Sequence, residues 1–281
     1  MNDVIKDLLI SALRFWGRSS GYIWDMLTAS LEGWKDGILW DIAVNVNDGI
    51  RYIAYGLLVI FFGCSLIRES VSFSDMKRPE NILRLFLRYI IAKAVITYGM
   101  TLMGTIYKIA GGIVSKIHSV GFENLYTGRG AGMPEVVQNA ISQLPWYSSL
   151  VCVIFAVITF VVVVVLSVTV MLTVYSRFFK LYIYVALAPI PLSTISGEGT
   201  QMSGWQFIKS FTAICLEAAV IGLACIFFSK LAEITSISGW FASGTLLTTV
   251  LGYMAELIFH MLLMVGIVKG ASGIVKEMAA L

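Results

Sequence analysis

Four ionisable side chains, Lys93, Glu217, Glu256 and His260, stand inside stretches otherwise apolar enough to cross a membrane. A charge at that depth is costly, and it usually faces a bundle interior or an aqueous path. Glu256 and His260 are four residues apart, so on a helix they share a face. With Glu217 they make either the polar lining of a conduit or proton relay, or a set of interhelical pairings. Lys93 lies near the start of its stretch, where a long stem lets the ammonium reach the headgroups. Enzyme chemistry has less to build on. Glu-Leu-Ile-Phe-His at 256–260 lacks the spacing of a zincin helix, and there is neither a Gly-x-Ser-x-Gly nor a Walker loop. No spanning candidate contains the Asp that a paired-aspartate intramembrane protease needs. Nothing beside the loop Gly128–Gly132 suggests phosphate binding. With only 2 histidines, a metal site is not expected. The four cysteines, Cys64, Cys152, Cys215 and Cys225, lie in apolar segments without a CxxC and read as small hydrophobes. No catalytic residue, cofactor or metal is expected.

The elements that carry these residues follow from composition. Only 13% of the 281 residues are charged, against about 25% in a soluble domain. The deficit runs the length of the chain, so a polytopic membrane protein is expected, without room for a large soluble domain. The net charge of +3 is too small to imply nucleic acid by itself. Residues 1–49 differ from the rest. Val4, Ile5, Leu8, Leu9, Ala12, Leu13 and Trp16 form a helical stripe, Ser19, Ser20 and Gly21 predict a break, and a second stripe runs through Ile23, Leu27, Leu31, Trp34 and Ile38. Four tryptophans (Trp16, Trp24, Trp34, Trp40) fall here, which suits either the membrane interface or a packing surface for a partner. Asp3 and Asp7 with no apolar run between them predict no cleaved signal.

Spans are expected over Tyr52–Ile67, Phe86–Tyr107, Trp146–Tyr175, Phe207–Phe228 and Leu246–Val268. Pro79 predicts a helix start, and 108–146 a Gly-containing loop with a short amphipathic helix after Pro134. Between the third and fourth spans, Arg177–Thr200 is apolar yet interrupted by Pro189, Pro191 and the Gly197-Glu198-Gly199 turn. Irregular backbone at membrane depth needs protein or a water-filled cavity around it. If this segment is re-entrant there are five spans. The inner side then carries eleven Lys/Arg and the loops between spans on the outer side four, which places the N-terminus outside and the C-terminus inside. Six full spans are the alternative. Gly266 and Gly270 form a GxxxG that would let helix backbones approach closely, as in an oligomer.

The expected fold is therefore all-α: a polytopic membrane helix bundle of five transmembrane helices plus a Pro-broken re-entrant segment. Its organisation is 1–49 as N-terminal amphipathic interfacial helices, 50–275 as the transmembrane domain and 276–281 as the C-terminal tail. A self-contained secondary transporter or ion channel would also use broken helices and intramembrane Glu and His, although no inverted repeat is visible.

RFFKLYIYVALAPIPLSTISGEGT (177–200), followed by FIKSFTAICLEAAVIGLACIFFS (207–229), resembles the TrbL family, the equivalent of the sixth VirB protein. LRLFLRYIIAKAVITYG (83–99) is also similar to members from conjugative elements of Firmicutes. The resemblance covers about 50–275. It implies an inner-membrane channel or scaffold subunit of a type IV secretion (conjugation) system, helping pass DNA with its attached relaxase across the cell membrane. It further implies a homo-oligomer in the bilayer beside other secretion subunits and cytoplasmic ATPases, an outward N-terminus, an inward C-terminus and no catalytic residues. The region 108–146 is short compared with the central domain of many Gram-negative members.

Overall fold

The computed structural model describes residues 1–71, 79–121, 133–234 and 245–279. Every regular element among them is helical: α1 (Asn2–Thr28), a 3-10 turn (Trp34–Gly37), α2 (Ile38–Val71), α3 (Pro79–Thr97), α4 (Gly99–Gly121), α5 (Glu135–Ser142), α6 (Trp146–Leu187), α7 (Pro189–Ser193), a second 3-10 turn (Thr194–Ser196), α8 (Gln201–Ile234) and α9 (Leu246–Met278). Four helical stretches, Trp34–Arg68, Trp146–Leu187, Gln201–Phe227 and Leu246–Met278, are long and apolar enough to cross a membrane, and the bent pair α3–α4 makes a fifth. The Gly128–Gly132 loop and residues 235–244 lie outside the described residues.

Several boundaries move from where the sequence puts them. Ser19-Ser20-Gly21 does not break α1, because its apolar stripe continues in register: Ile5, Leu9, Ala12, Ile23 and Leu27 are all buried. The helix stops instead at Thr28, and the next stripe is interrupted by Lys35, Asp36 and Gly37, which take φ of 51°, 62° and 77°. The second span is not one rod, since α3 and α4 meet at Tyr98 with a bend of 69°. Much of the expected 108–146 loop is helix, as α4 runs on to Gly121. Two expectations hold: Pro79 starts α3, and the short amphipathic helix follows Pro134.

The chain divides into two compact units, with α4, α6, α8 and α9 contributing residues to both. The first comprises Met1–Thr28, Ile113–Tyr175 and Ala218–Ala271. Its core is the α1 stripe. Ile5 and Leu9 are buried with Val137 and Ile141 of α5, Cys152 and Ala156 of α6, and Val250 and Met254 of α9. Polar ties fix the start of α1: Lys6 Nζ donates to Ser142 Oγ at 2.7 Å and Ser149 Oγ to Asn2 Oδ1 at 2.6 Å. Further along, Trp24 stacks on His118 with ring centroids 5.1 Å apart. The N-terminal stripe thus packs on its own chain.

The second unit comprises Ala29–Gly112, Ser176–Glu217 and Ser272–Leu281. Its entry is an elbow, residues 29–37, whose left-handed backbone is costly for non-glycine residues and is held by neighbours. Tyr107 donates to the Ala29 carbonyl at 2.7 Å and Tyr182 to that of Leu31 at 2.9 Å. Lys108 pairs with Glu32 at 3.2 Å, and Trp34 stacks on Phe178 with centroids 4.9 Å apart. Beyond the elbow, α2 packs against α7 and α3. The start of α8 folds back on the second 3-10 turn, where Gly204 leaves no room for a side chain: a Cβ would collide with Ile195 and stand 3.0 Å from the Pro191 carbonyl oxygen.

Gly204→Val should destabilise the purified protein by about 1–3 kcal/mol through overpacking, seen as earlier thermal unfolding in detergent. Gly266→Val, where an added Cβ meets open space, is the matched control and should leave the melting curve of the monomer nearly unchanged.

Candidate functional site

The proline break is built by one missing donor and one buried side chain. In an unbroken helix the Val185 carbonyl would accept from the N–H of residue 189. Pro189 has none, and its ring presses on that same carbonyl, so α6 ends at Leu187. Asn47 of α2, only 2% exposed, donates Nδ2 to the Val185 oxygen at 2.6 Å. Its Oδ1 accepts from Arg51 Nη2 at 3.4 Å, and Arg51 is tied to Asp48 at 2.9 Å. Pro189 and Pro191 also fall in the first turn of α7, where backbone N–H groups lack intrahelical partners in any case.

Break and reversal are separate features. From Val185 the chain advances along α2: Val185 meets Asn47, Ser196 Oγ reaches the Leu58 carbonyl at 3.4 Å, and the Glu198 N–H donates to Ser65 Oγ at 2.7 Å. The turn comes only at Gly197–Gly199, where Gly199 takes φ of 88°, a value glycine adopts freely. Thr200 Oγ1 closes it on the Thr194 carbonyl at 3.0 Å. Arg68 of α2 donates to the Glu198 carbonyl at 3.4 Å, and Arg88 of α3 pairs with the Glu198 carboxylate at 3.6 Å. The start of α8 then returns beside the end of α6, with Tyr184 stacked on Phe207 at 5.2 Å.

Within that α6–α8 hairpin lies a buried cation. Arg177 is 2% exposed and sits inside α6, not in a loop between spans as the charge count assumes. Its Nε donates to the Ile214 carbonyl at 3.0 Å and its Nη2 to that of Cys215 at 3.2 Å. Nη1 finds no hydrogen-bond partner among the described residues. Glu217, buried on α8, feels the positive charges of Lys180, Arg177 and Lys276, and supplies negative potential to Arg177. Both are buried ionisable groups of spanning helices, where a charge without compensation would be prohibitive.

Residues 33–189, more than half of the chain, match the family described as TrbL/VirB6 plasmid conjugal transfer like protein. The chain belongs to this family. No curated protein and no solved structure matches it. The TrbL/VirB6 match starts at the elbow and ends at the break, so Asn47, Arg177, Val185 and Pro189 all lie inside it. It opens and closes earlier than the 50–275 expected from the sequence.

The four ionisable candidates of this TrbL/VirB6 chain fall in two units. Lys93 on α3 is exposed, and Glu217 belongs to the same unit. Half-buried Glu256 and buried His260, on α9, belong to the other unit. Pro189 and Gly197 are buried, Pro191 is half-buried and Gly199 exposed. Gly266 and Gly270 are exposed and face open space within the single chain. Among the described residues no group of three His, Cys, Asp or Glu is placed to hold a metal. Sequence reading missed Asn47 and Arg177. For Asn47 a signal existed: an amide in an apolar helix, opposite a segment whose proline must strand a carbonyl. Arg177 was hidden by its place at the end of a 41-residue run without charge.

Asn47→Ala should cost about 1–3 kcal/mol, the penalty of an orphaned buried carbonyl. In a Pro189→Ala background, where a backbone N–H is restored, the same change should cost at least ~0.5 kcal/mol less. A double-mutant cycle by denaturation in detergent checks this; strict additivity would contradict the assignment.

Proposed function

We propose that this multi-pass TrbL/VirB6 protein is a channel or scaffold subunit of its type IV secretion (conjugation) system, working as a homo-oligomer. The family match over 33–189 carries the reading. It makes the chain a component of a conjugation apparatus, and family members are structural subunits of the secretion system. On this reading the substrate is DNA with its attached relaxase. The chain carries no catalysis of its own, and energy comes from partner ATPases in the cytoplasm.

Physical arguments support the finer points. Five spans cannot enclose a passage wide enough for DNA, so several copies are needed. On α9 the exposed Gly266 and Gly270 offer a surface on which a second helix could approach closely. Orientation follows from the Lys/Arg bias of the loops, which supports an N-terminus outside and the tip at Glu198 on the cytoplasmic side of a bacterial cell membrane; the resemblance of 83–99 supports a Firmicute conjugative element as the source. Glu217 lies in the hairpin that ends in this tip, and Glu256 and His260 serve either as lining or as interhelical pairing.

Deleting the gene in a donor cell should abolish plasmid transfer while leaving relaxase nicking at the origin intact, and complementation should restore it. Unchanged transfer would overturn the assignment. Gly270→Cys should yield disulfide-linked dimers in native membranes, lost on adding Gly266→Leu. A single uncrosslinked species in both would remove the homo-oligomer from the proposal.

A further inference from the structure

Contacts at three levels fix how α3 lies on α2. The Thr97 hydroxyl meets that of Tyr55 at 2.9 Å, Tyr89 packs on Phe62 with ring centroids 4.8 Å apart, and Arg88 pairs with Glu198, whose N–H donates to Ser65. Partners advance along α2 as they go back along α3, so the two helices run antiparallel and side by side. The run ends at Tyr98, where the chain bends by 69° and Gly99 leaves little room beside Leu192. Lys93 stands midway between Thr97 and Tyr89, which puts it level with Leu58 and Val59 of α2.

That level is the middle of a span. The uncharged run of α2 is bounded by Arg51 and Arg68, in a helix long and apolar enough to cross a membrane. At about 1.5 Å per residue, Val59 is about 12 Å from the level of Arg51 and about 14 Å from that of Arg68. A lysine stem reaches about 6 Å, so snorkelling does not bring the ammonium to either headgroup layer. Yet Lys93 is exposed, and it forms no ion pair among the described residues.

Whatever fills the space beside Lys93 must accept a charge. Hydrocarbon does so only at high cost. A second copy has no free carboxylate to bring from its described spans: Glu217 is buried, and half-buried Glu256 interacts within its own chain. Water fits what surrounds the ammonium. The hydroxyl pair of Tyr55 and Thr97 lies one turn away, and Val59, on the same side of α2 as Tyr55 and Phe62 by its spacing, is exposed.

We propose that Lys93 lines a water-filled path through the bilayer along the α2–α3 seam, with Val59 opposite it. The proposal rests on the channel limb of the function proposed above, and the path runs between copies of the chain.

The test uses the full-length chain with Cys64→Ser, since the other three cysteines are buried, in donor cells carrying the complete secretion apparatus. Lys93→Cys, Val59→Cys and Ile91→Cys are introduced one at a time, and the rate of labelling by a charged, membrane-impermeant maleimide is measured. Ile91 is the control, exposed at nearly the same level but two residues from Lys93 and so on the far side of α3. The reactive thiolate is disfavoured in apolar surroundings, so Lys93→Cys and Val59→Cys should each react at least about tenfold faster than Ile91→Cys. If both are as slow as Ile91→Cys, lipid or another protein covers the seam. If all three are fast, this part of α3 stands outside the bilayer. Either result overturns the proposal. Slow labelling in a system whose transfer is lost on gene deletion would remove the water path and leave the conjugation reading intact; fast labelling with transfer unaffected by deletion would do the reverse.

Discussion

A carbonyl oxygen at Val185 with no N–H to bond constrains most of what surrounds it. Proline at 189 makes the vacancy, and in lipid a vacant backbone acceptor costs several kcal/mol. The solution is one buried amide, Asn47, 2.6 Å away on α2. That bond fixes which part of α2 lies beside the end of α6, and the register then runs on through Leu58 with Ser196 and Ser65 with Glu198. Irregular backbone in a membrane protein is acceptable only where protein satisfies it, and here α2 side chains satisfy it at the Val185 carbonyl and at both backbone groups of Glu198.

Polar groups elsewhere in the second unit work on backbone in the same way. Arg177 spends its guanidinium on the Ile214 and Cys215 carbonyls, Tyr107 and Tyr182 their hydroxyls on those of Ala29 and Leu31, and Arg68 its guanidinium on that of Glu198. Such bonds make a charged or hydroxylated side chain in an apolar helix tolerable, and they stitch segments far apart in sequence. This gives the TrbL/VirB6 match a physical content. The matched stretch opens just before the stacked Trp34 and closes at Pro189, each an irregular place of this unit. The residues that pin this irregular backbone are polar ones inside apolar helices.

How much of this was legible in the sequence depended on how local the signal was. Apolar length alone gave α6, α8 and α9, and the charge deficit gave the class. Pro79 and Pro134 marked helix starts because a proline acts on its own turn. The break at Pro189 was legible for the same reason. The reversal at Gly197–Gly199 was legible as composition, but its separation from the break was not, since only contacts with α2 reveal it. The bend at Tyr98 stayed hidden because Thr97 and Gly99 are unremarkable until Tyr55 and Leu192 are placed against them. Arg177 was misread for a related reason: a cation after a long apolar run looks like a span's end unless α8 is known to offer it carbonyls. Ser19-Ser20-Gly21 was over-read, because buried neighbours on both sides outweigh weak local propensity.

The central claim is that the segment from Pro189 to Gly204 is ordered backbone docked on α2. Hydrogen–deuterium exchange of the full-length protein in lipid nanodiscs reads it directly. The amides of Leu192, Gly197, Glu198 and Thr200, each with an acceptor in the structure, should exchange as slowly as the interior of α2, and Asn47→Ala should speed them all together. Exchange of these amides at the rate of an open loop in the unaltered protein would contradict the account.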